Sequence, residues 1–226
     1  HTPDYSKANG TSTIDFPMHW AFKDASSAFG AAKSEDSLYN DATWAVTYVD
    51  SHDYGPDGQE KTRYQGGASA WAENMDLMFT FRGIPCIYYG SEIEFKKDVP
   101  IDVGPNAPLD KTGRAYFGDH LEGSVTASDY GKYTASGTVA STLDAPLSKH
   151  LEKLNQIRRA VPALQKGQYT TDSNYVSGNM AYIRRYTNSS EGVDSLACVT
   201  ISGDATFKGL PNGTYIDAVT GDKKVV

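Results

Sequence analysis

Residues 44–53 read WAVTYVDSHD, a run rich in β-branched and aromatic residues that ends abruptly in a polar cluster. Such a run predicts a buried strand, and the apolar-periodic stretch ASAWAENMDLMFTF at 68–81 predicts a helix after it. Two further strand and helix pairs flank this one, TSTIDF at 11–16 with the helical stretch 16–29 and IPCIYY at 84–89 with the helical stretch 147–164. The sequence therefore predicts an α/β fold built from three successive strand–helix units.

The long polar segments, at 48–61 and 88–106, follow strands rather than precede them. Strands that alternate with helices pair in parallel, and in a (β/α)8 barrel the functional loops lie at the carboxyl ends of the strands. We therefore expect the functional site in these segments. The stretch from about 95 to 145 is far longer than an ordinary connection, so we predict a functional excursion that borders a substrate groove.

From about residue 167 the pattern changes to short alternating runs, at 179–186, 194–201 and 213–219. These runs predict an antiparallel β domain. The predicted domains are therefore residues 1–166 and 167–226.

The composition restricts the partners. The formal net charge of −7 and the pI of about 5.2 argue against nucleic acid and against an anionic membrane. No apolar run approaches the ~20 residues of a membrane span. The 15 tyrosines fit either a sugar-binding surface or a packed β-rich core. We expect Cys86 and Cys198 to be two buried free thiols rather than a disulfide or a metal pair.

His52 and Asp53 follow a strand, where barrel enzymes recruit catalytic groups, although such a pair also occurs in ordinary surface turns. The segments 47–56 (TYVDSHDYGP), 82–95 (RGIPCIYYGSEIEF) and 16–25 (FPMHWAFKDA) together resemble the α-amylase family of glycoside hydrolases. In that family an aromatic-x-x-Asn-His-Asp strand end precedes a strand of the form G-x-P-x-I-Y-Y-G-x-E. Ser51 stands where the family has Asn.

The resemblance implies a fold: the C-terminal part of a (β/α)8 TIM barrel, strands six to eight, followed by an antiparallel β-sandwich called domain C. Residues 1–166 would be the barrel part and 167–226 the sandwich. It also implies a catalytic role for Asp53, whose carboxylate would accept hydrogen bonds from the 2- and 3-hydroxyls of the sugar being cleaved. His52 would donate to the same sugar.

Further substrate-binding candidates are weaker. Asp110 and Arg114, in DKTGR, have the separation of a D-P-x-N-R motif that lines sugar subsites in relatives, or they form an exposed turn. Tyr54 would contact sugar or pack locally. The same two alternatives hold for three residues of the long loop, Tyr116, Phe117 and His120.

The family's nucleophile and acid belong to a G-x-R-x-D motif and a strand-five Glu, and neither motif occurs here. The chain opens at His1 without an initiating Met, and we expect the N-terminal half of the same enzyme to be a separate chain that supplies both groups. Activity would need both chains. Glu92 is expected to support the structure instead of replacing either group. The family commonly binds calcium, with ligands expected outside this chain, and no metal ligand or organic cofactor is assigned here.

The implied function is part of an endo-acting retaining glycoside hydrolase that cleaves α-1,4-glucosidic bonds in starch and maltooligosaccharides. The size of that substrate implies secretion. A transglycosylase, a cyclodextrin-active or α-1,6-active relative, and a non-catalytic starch-binding homologue are the alternatives.

Overall fold

Three extended segments lie side by side in the computed structural model, which describes residues 1–226. β1 (Val46–Thr47) pairs in parallel with β2 (Ile84–Pro85), and Ile14 forms a parallel bridge to Val46. Backbone amides of Asp15 and Cys86 extend the ladder by donating to the carbonyls of Val46 and Thr47, at 2.9 and 2.8 Å. The three predicted strands are thus neighbours in chain order, but their regular pairing is much shorter than the sequence predicts.

Six helices accompany these strands: α1 (Phe16–Ala21), α2 (Ala25–Ser34), α3 (Gly67–Thr80), α4 (Thr138–Asp144), α5 (Pro146–Ala160) and α6 (Pro162–Lys166). Two of the helices predicted as continuous are divided. The stretch 16–29 is divided at Asp24, which is the N-cap of α2. The Asp24 carboxylate accepts a hydrogen bond from the amide of Ser27, so a new helix begins there. Pro162 divides the last stretch because proline has no amide hydrogen to continue α5. None of the helices combines the length and apolar character needed to cross a bilayer.

The main core lies on the helix side of the short parallel sheet. Its centre is α3, whose Trp71, Met75 and Met78 are buried with Phe22 and Phe29 from the first two helices. On the three paired strands, Asp15 and Thr47 face this side and have no exposed surface. The helices therefore bury this face at Asp15 and Thr47, whereas Pro85, which pairs with Thr47, is only partly buried.

The opposite face is open. Ile14 and Ile84, which flank Val46 in the register, are 42% and 43% exposed, and Cys86 is exposed as well. Two expectations are therefore wrong for this chain: IPCIYY is not covered on both faces, and Cys86 is not buried. The physical reason is that no element of the chain packs over this face. Cys198 is half-buried, and burial raises the pKa of its thiol to about 11.

The C-terminal region is antiparallel. β5 (Gln168–Thr170), β7 (Ala181–Asn188) and β8 (Val193–Thr200) form one sheet in the order 5-7-8. Two ribbons accompany it, β6 (Val176–Gly178) with β9 (Ala205–Phe207) and β10 (Thr214–Ile216) with β11 (Lys223–Val225). The change from helix to antiparallel strand occurs at Gly167, between α6 and β5. The division into two domains at this point stays a prediction.

The predicted long loop contains regular structure. β3 (Gly123–Asp129) and β4 (Lys132–Gly137) form a hairpin, and α4 follows it directly. The hairpin is exposed along most of its length, so it lacks the apolar alternation by which strands are recognised in sequence.

Buried arginines join the two regions. Arg82 donates to Asp15 and Asp36, both at 2.8 Å, and to the hydroxyl of Tyr169 on β5 at 2.9 Å. Arg184 on β7 donates to the carbonyls of Gly167 and Thr80, at 2.7 and 3.3 Å. Because the carbonyls at the end of a helix lack partners within the helix, Arg184 satisfies the end of α3. Burial lowers the pKa of Arg184 to about 10.

Replacing Arg82 with Met should destabilise the chain by about 3–5 kcal/mol, because the fully buried Asp15 carboxylate would lose its charged partner. Urea unfolding of the variant measures this. As a control, Arg185→Met removes an exposed, solvent-screened pair with Asp194 and should change the unfolding free energy far less. Equal losses in the two variants would contradict the importance assigned to Arg82.

Candidate active site at the carboxyl ends of the parallel strands

Residues 51–54 form a tight turn shortly after β1. The hydroxyl of Ser51 accepts hydrogen bonds from the amides of Asp53 and Tyr54 at 3.0 and 3.1 Å, and the amide of Ser51 donates to the carbonyl of Tyr54 at 3.0 Å. A serine hydroxyl can close such a turn by bonding to the backbone two residues on. The residue at the position of the family's Asn therefore shapes the turn that presents His52 and Asp53.

His52 and Asp53 lie next to each other and face solvent. The Nε2 atom of His52 is 3.1 Å from a carboxylate oxygen of Asp53, and the two side chains are 66% and 53% exposed. Their accessibility allows contact with a ligand.

Arg114 reaches this pair from the long excursion. Its Nε donates to the carbonyl of His52 at 2.7 Å, and its Nη2 lies 3.5 Å from Oδ1 of Asp53. Its Nη1 lies 3.5 Å from the carboxylate of Asp102. The structure thus brings together three of the predicted site residues, His52, Asp53 and Arg114, from segments about sixty positions apart.

A buried ion pair supports the turn from below. Asp50, the last residue before the turn, accepts from Nε of Arg63 at 2.8 Å, from the amide of Tyr64 at 3.2 Å and from the hydroxyl of Ser91 at 2.9 Å. Asp50 and Arg63 are both almost fully buried. Since a buried carboxylate is costly without such partners, these contacts fix where the turn begins.

The side chains of the remaining candidates, Asp110 and Tyr54, have other partners. Asp110 pairs with the adjacent Lys111, and its carbonyl accepts from Lys96. Tyr54 packs edge-on against Trp20, with the ammonium of Lys61 4.8 Å from the ring centroid. Neither side chain contacts Asp53. Their substrate-binding roles stay predictions.

The aromatic residues of the long loop separate into two kinds. Phe117 is buried, stacks on His120 at 5.1 Å and meets Phe95 edge-on at 5.1 Å. Tyr116 is largely exposed. Phe117 and His120 therefore pack the loop on itself, which was one of the two alternatives. Glu92 lies in the short turn after β2, where its carbonyl accepts from Ser148 of α5.

Sequence reasoning missed three residues near the site: Arg63, Asp102 and Tyr88. The ring of Tyr88 lies between the guanidinium of Arg63, at 4.5 Å, and the ring of His52, at 6.4 Å. Burial raises the pKa of Tyr88. Tyr88 could have been found from its place at the end of a predicted strand. Arg63 and Asp102 carry no local signal, because their roles arise from contacts distant in sequence.

His19 lies beneath the turn. Its ring is fully buried, stacks on Tyr48 at 4.0 Å, and has no hydrogen-bond partner on either nitrogen. Burial lowers the pKa of His19 to about 4, and the nearby backbone of Tyr48 and Val49 and the carboxylates of Asp57 and Asp50 oppose this shift only in part.

The arrangement suits a ligand rich in hydroxyl groups. Asp53 offers acceptor oxygens, and the His52 ring and the Arg114 guanidinium lie beside it as donors. Nowhere do three or more His, Cys, Asp or Glu side chains gather as a set of metal ligands.

Comparison with known proteins relates the chain to α-amylases and cyclomaltodextrin glucanotransferases. It is 28% identical over 244 residues to an α-amylase of Streptomyces lividans, covering 95% of this chain and 25% of the relative. It is 23% identical over 231 residues to a cyclomaltodextrin glucanotransferase of Paenibacillus macerans, covering 96% and 27%. The chain thus spans about a quarter of the length of these curated relatives. No family model matches it.

Solved structures support the fold. An α-amylase of Geobacillus thermoleovorans, in complex with acarbose, superposes with a TM-score of 0.57 at 15% identity, covering 96% of this chain and 44% of that one. A cyclomaltodextrin glucanotransferase with a three-domain arrangement gives a TM-score of 0.55 at 21% identity, covering 95% and 38%. The mixed α/β structure therefore matches part of the fold of both kinds of enzyme.

Because His19 is buried, the packing beneath the turn can be tested by measuring how stability depends on pH. Its pKa is lowered on folding, so the unfolded chain binds the proton more readily between about pH 4 and 6.5, and stability should fall as the pH decreases through that window. His19→Phe keeps the aromatic packing without the titration, so it should remove up to about 3 kcal/mol of this loss. Unfolding free energies of both proteins at pH 4.5 and 7 measure it. The same pH dependence in both would contradict a buried, neutral His19.

Proposed function

We propose that this chain, a relative of the α-amylase family of glycoside hydrolases that matches a part of such enzymes, contributes the cleaved-sugar site of an endo-acting retaining hydrolase. This hydrolase would cleave the α-1,4-glucosidic bonds of starch and maltooligosaccharides. The observation that carries the proposal is the exposed Asp53 carboxylate, flanked by His52 and Arg114 at the carboxyl end of a parallel strand.

In the proposed reaction, the Asp53 carboxylate accepts hydrogen bonds from two hydroxyls of the sugar whose bond is cleaved. Positive charge develops on the ring as the transition state approaches an oxocarbenium ion. The negative charge of Asp53 stabilises it, and the hydrogen bonds from the hydroxyls strengthen as that charge grows. His52 donates to the same sugar, and Arg114 holds the carboxylate in place.

The nucleophile and the general acid come, in this proposal, from the N-terminal half of the same enzyme as a separate chain. A retaining mechanism needs those two carboxyl groups ~5–5.5 Å apart. Asp53 is the third carboxylate, and its charge beside the acid would raise the pKa of the acid and keep it protonated. Secretion, inferred from the size of starch, and calcium bound by residues outside this chain belong to the same proposal.

The open face of the parallel sheet supports the need for additional polypeptide. Exposed apolar side chains favour association because water hydrates them poorly, and an unpaired strand edge offers backbone donors and acceptors to another chain. Ile14 and Ile84 lie at this face, beside Val46. We propose that the N-terminal half covers it and completes a (β/α)8 barrel, with residues 167–226 as the β-sandwich beyond the barrel.

A transglycosylase is the second candidate, favoured by the similarity to cyclomaltodextrin glucanotransferases over 96% of this chain. The same site serves either reaction, because the products depend on whether water or a sugar hydroxyl attacks the glycosyl–enzyme intermediate. Product analysis on amylose, pullulan and cyclodextrin distinguishes these activities. A non-catalytic starch-binding homologue would bind without forming any product.

Asp53→Asn, in the enzyme assembled with the N-terminal half, should lower kcat by at least about 10³-fold and leave maltooligosaccharide binding nearly unchanged. The reason is that the charge matters most in the transition state. Steady-state kinetics and calorimetry measure the two effects. The matched control is Asp129→Asn, on the exposed hairpin, which should retain full activity. Unchanged turnover in Asp53→Asn would remove Asp53 from its role.

The chain alone should bind a hydrophobic dye and self-associate, whereas a preparation with the N-terminal half should form a one-to-one complex with little dye binding. The cause is the open apolar face, which the second chain would cover. Light scattering and dye fluorescence measure both states. A stable lone monomer with no dye binding would eliminate the separate-chain partner.

A further inference from the structure

Arg63 lies where three segments meet around the candidate site. It follows the turn that contains Asp53, and it is almost completely buried against the segment after β2 and against the long excursion. Besides the Asp50 carboxylate, it binds the carbonyl of Tyr89 at 3.0 Å, the hydroxyl of Ser91 at 3.1 Å and the carbonyl of Gly113 at 3.1 Å. One guanidinium therefore connects all three segments.

The bond to Gly113 matters because the next residue is Arg114. The excursion is fixed at Gly113 by Arg63 and by its own amide, which donates to the carbonyl of Pro100 at 2.8 Å. From that point Arg114 extends to the His52 carbonyl and to Asp53. The position of Arg114 thus follows from the position of the Gly113 backbone.

The close approach at Gly113 requires the absence of a side chain. A Cβ atom there would lie 2.8 Å from Cγ and 3.0 Å from Cδ of Arg63, and 3.2 Å from Cα of Ile101. The backbone of Ile101 is itself paired, since its amide donates to the carbonyl of Lys61 at 2.8 Å. A methyl group would therefore displace either the arginine or the excursion.

We propose that Arg63 is a positioning residue: by joining Asp50 to the Gly113 carbonyl, it sets the Arg114 guanidinium against the Asp53 carboxylate. The inference rests on the proposed function and adds how Arg114 is held beside Asp53. Arginine is required because its planar fork presents five donors in fixed directions, whereas lysine offers one ammonium. Lysine could keep the ion pair with Asp50 but not all the carbonyl bonds.

The test compares Arg63→Lys, Gly113→Ala and Arg114→Gln in the enzyme assembled with the N-terminal half. A displacement of about 1 Å in a catalytic group can cost about 10²-fold in rate. We expect Arg63→Lys and Gly113→Ala each to lower kcat about 10- to 100-fold per folded molecule, with a smaller change in KM. The control is Arg184→Lys, an equally buried arginine that bonds to the carbonyls of Thr80 and Gly167 and should retain wild-type kcat.

A double-mutant cycle distinguishes positioning from general support. If Arg63 acts through Arg114, adding Arg63→Lys to Arg114→Gln should lower kcat no further. If the double variant lost kcat by the product of the two single losses, the inference would be overturned. A normal kcat in Arg63→Lys would overturn it as well. An assembled wild-type protein with no activity on maltooligosaccharides would instead overturn the proposed function.

Hydrogen exchange gives a readout that does not depend on activity. The amides of 113–115 and of Ser51, Asp53 and Tyr54 are all hydrogen-bonded. In Arg63→Lys and Gly113→Ala both groups should exchange about tenfold faster or more, because the same guanidinium orders both segments. They should be unaffected in Arg184→Lys. Unchanged exchange in the first two variants would contradict the positioning role.

Discussion

The buried ion pair between Asp50 and Arg63 is the interaction on which the candidate site depends. Asp50 fixes the start of the turn that presents Asp53, and Arg63 fixes the excursion that carries Arg114. Such a pair adds little net stability over an apolar substitute, but removing one partner is costly because it leaves a buried charge without compensation. Its value is therefore geometric: it brings together side chains that belong to separate segments of the chain.

The second constraint is the asymmetry of the short parallel sheet. Its helix side packs against the main core, and its other side exposes Ile14, Ile84 and Cys86. The helix side also joins the two regions of the chain through Arg82 and Arg184. The structure thus combines a well-packed half with an open apolar face, and the candidate site lies at the end of the strands that separate them. The chain spans about a quarter of the length of its curated relatives, and we propose that further polypeptide covers this face.

Much of this arrangement could be predicted from sequence. The three strand–helix units, the antiparallel C-terminal strands and the place of His52 and Asp53 all follow from local patterns of apolar residues and turns. The exposure of Cys86 could not be predicted, because an apolar run does not reveal which layer covers it. The hairpin after Gly123 was missed since its strands have no apolar face. The roles of Arg63 and Asp102 arise only when distant segments meet. The division of two predicted helices depends on single residues, Asp24 and Pro162, within longer periodic stretches.

We propose that Asp53, held between His52 and Arg114, contacts the sugar whose bond is cleaved. A crystal structure of this chain assembled with the N-terminal half and bound to a maltooligosaccharide analogue tests it most directly. We expect the Asp53 carboxylate to lie within hydrogen-bonding distance of two hydroxyls of one ring, with Arg63 still joining Asp50 to Gly113. An oligosaccharide bound elsewhere, with Asp53 in contact only with solvent, would contradict it.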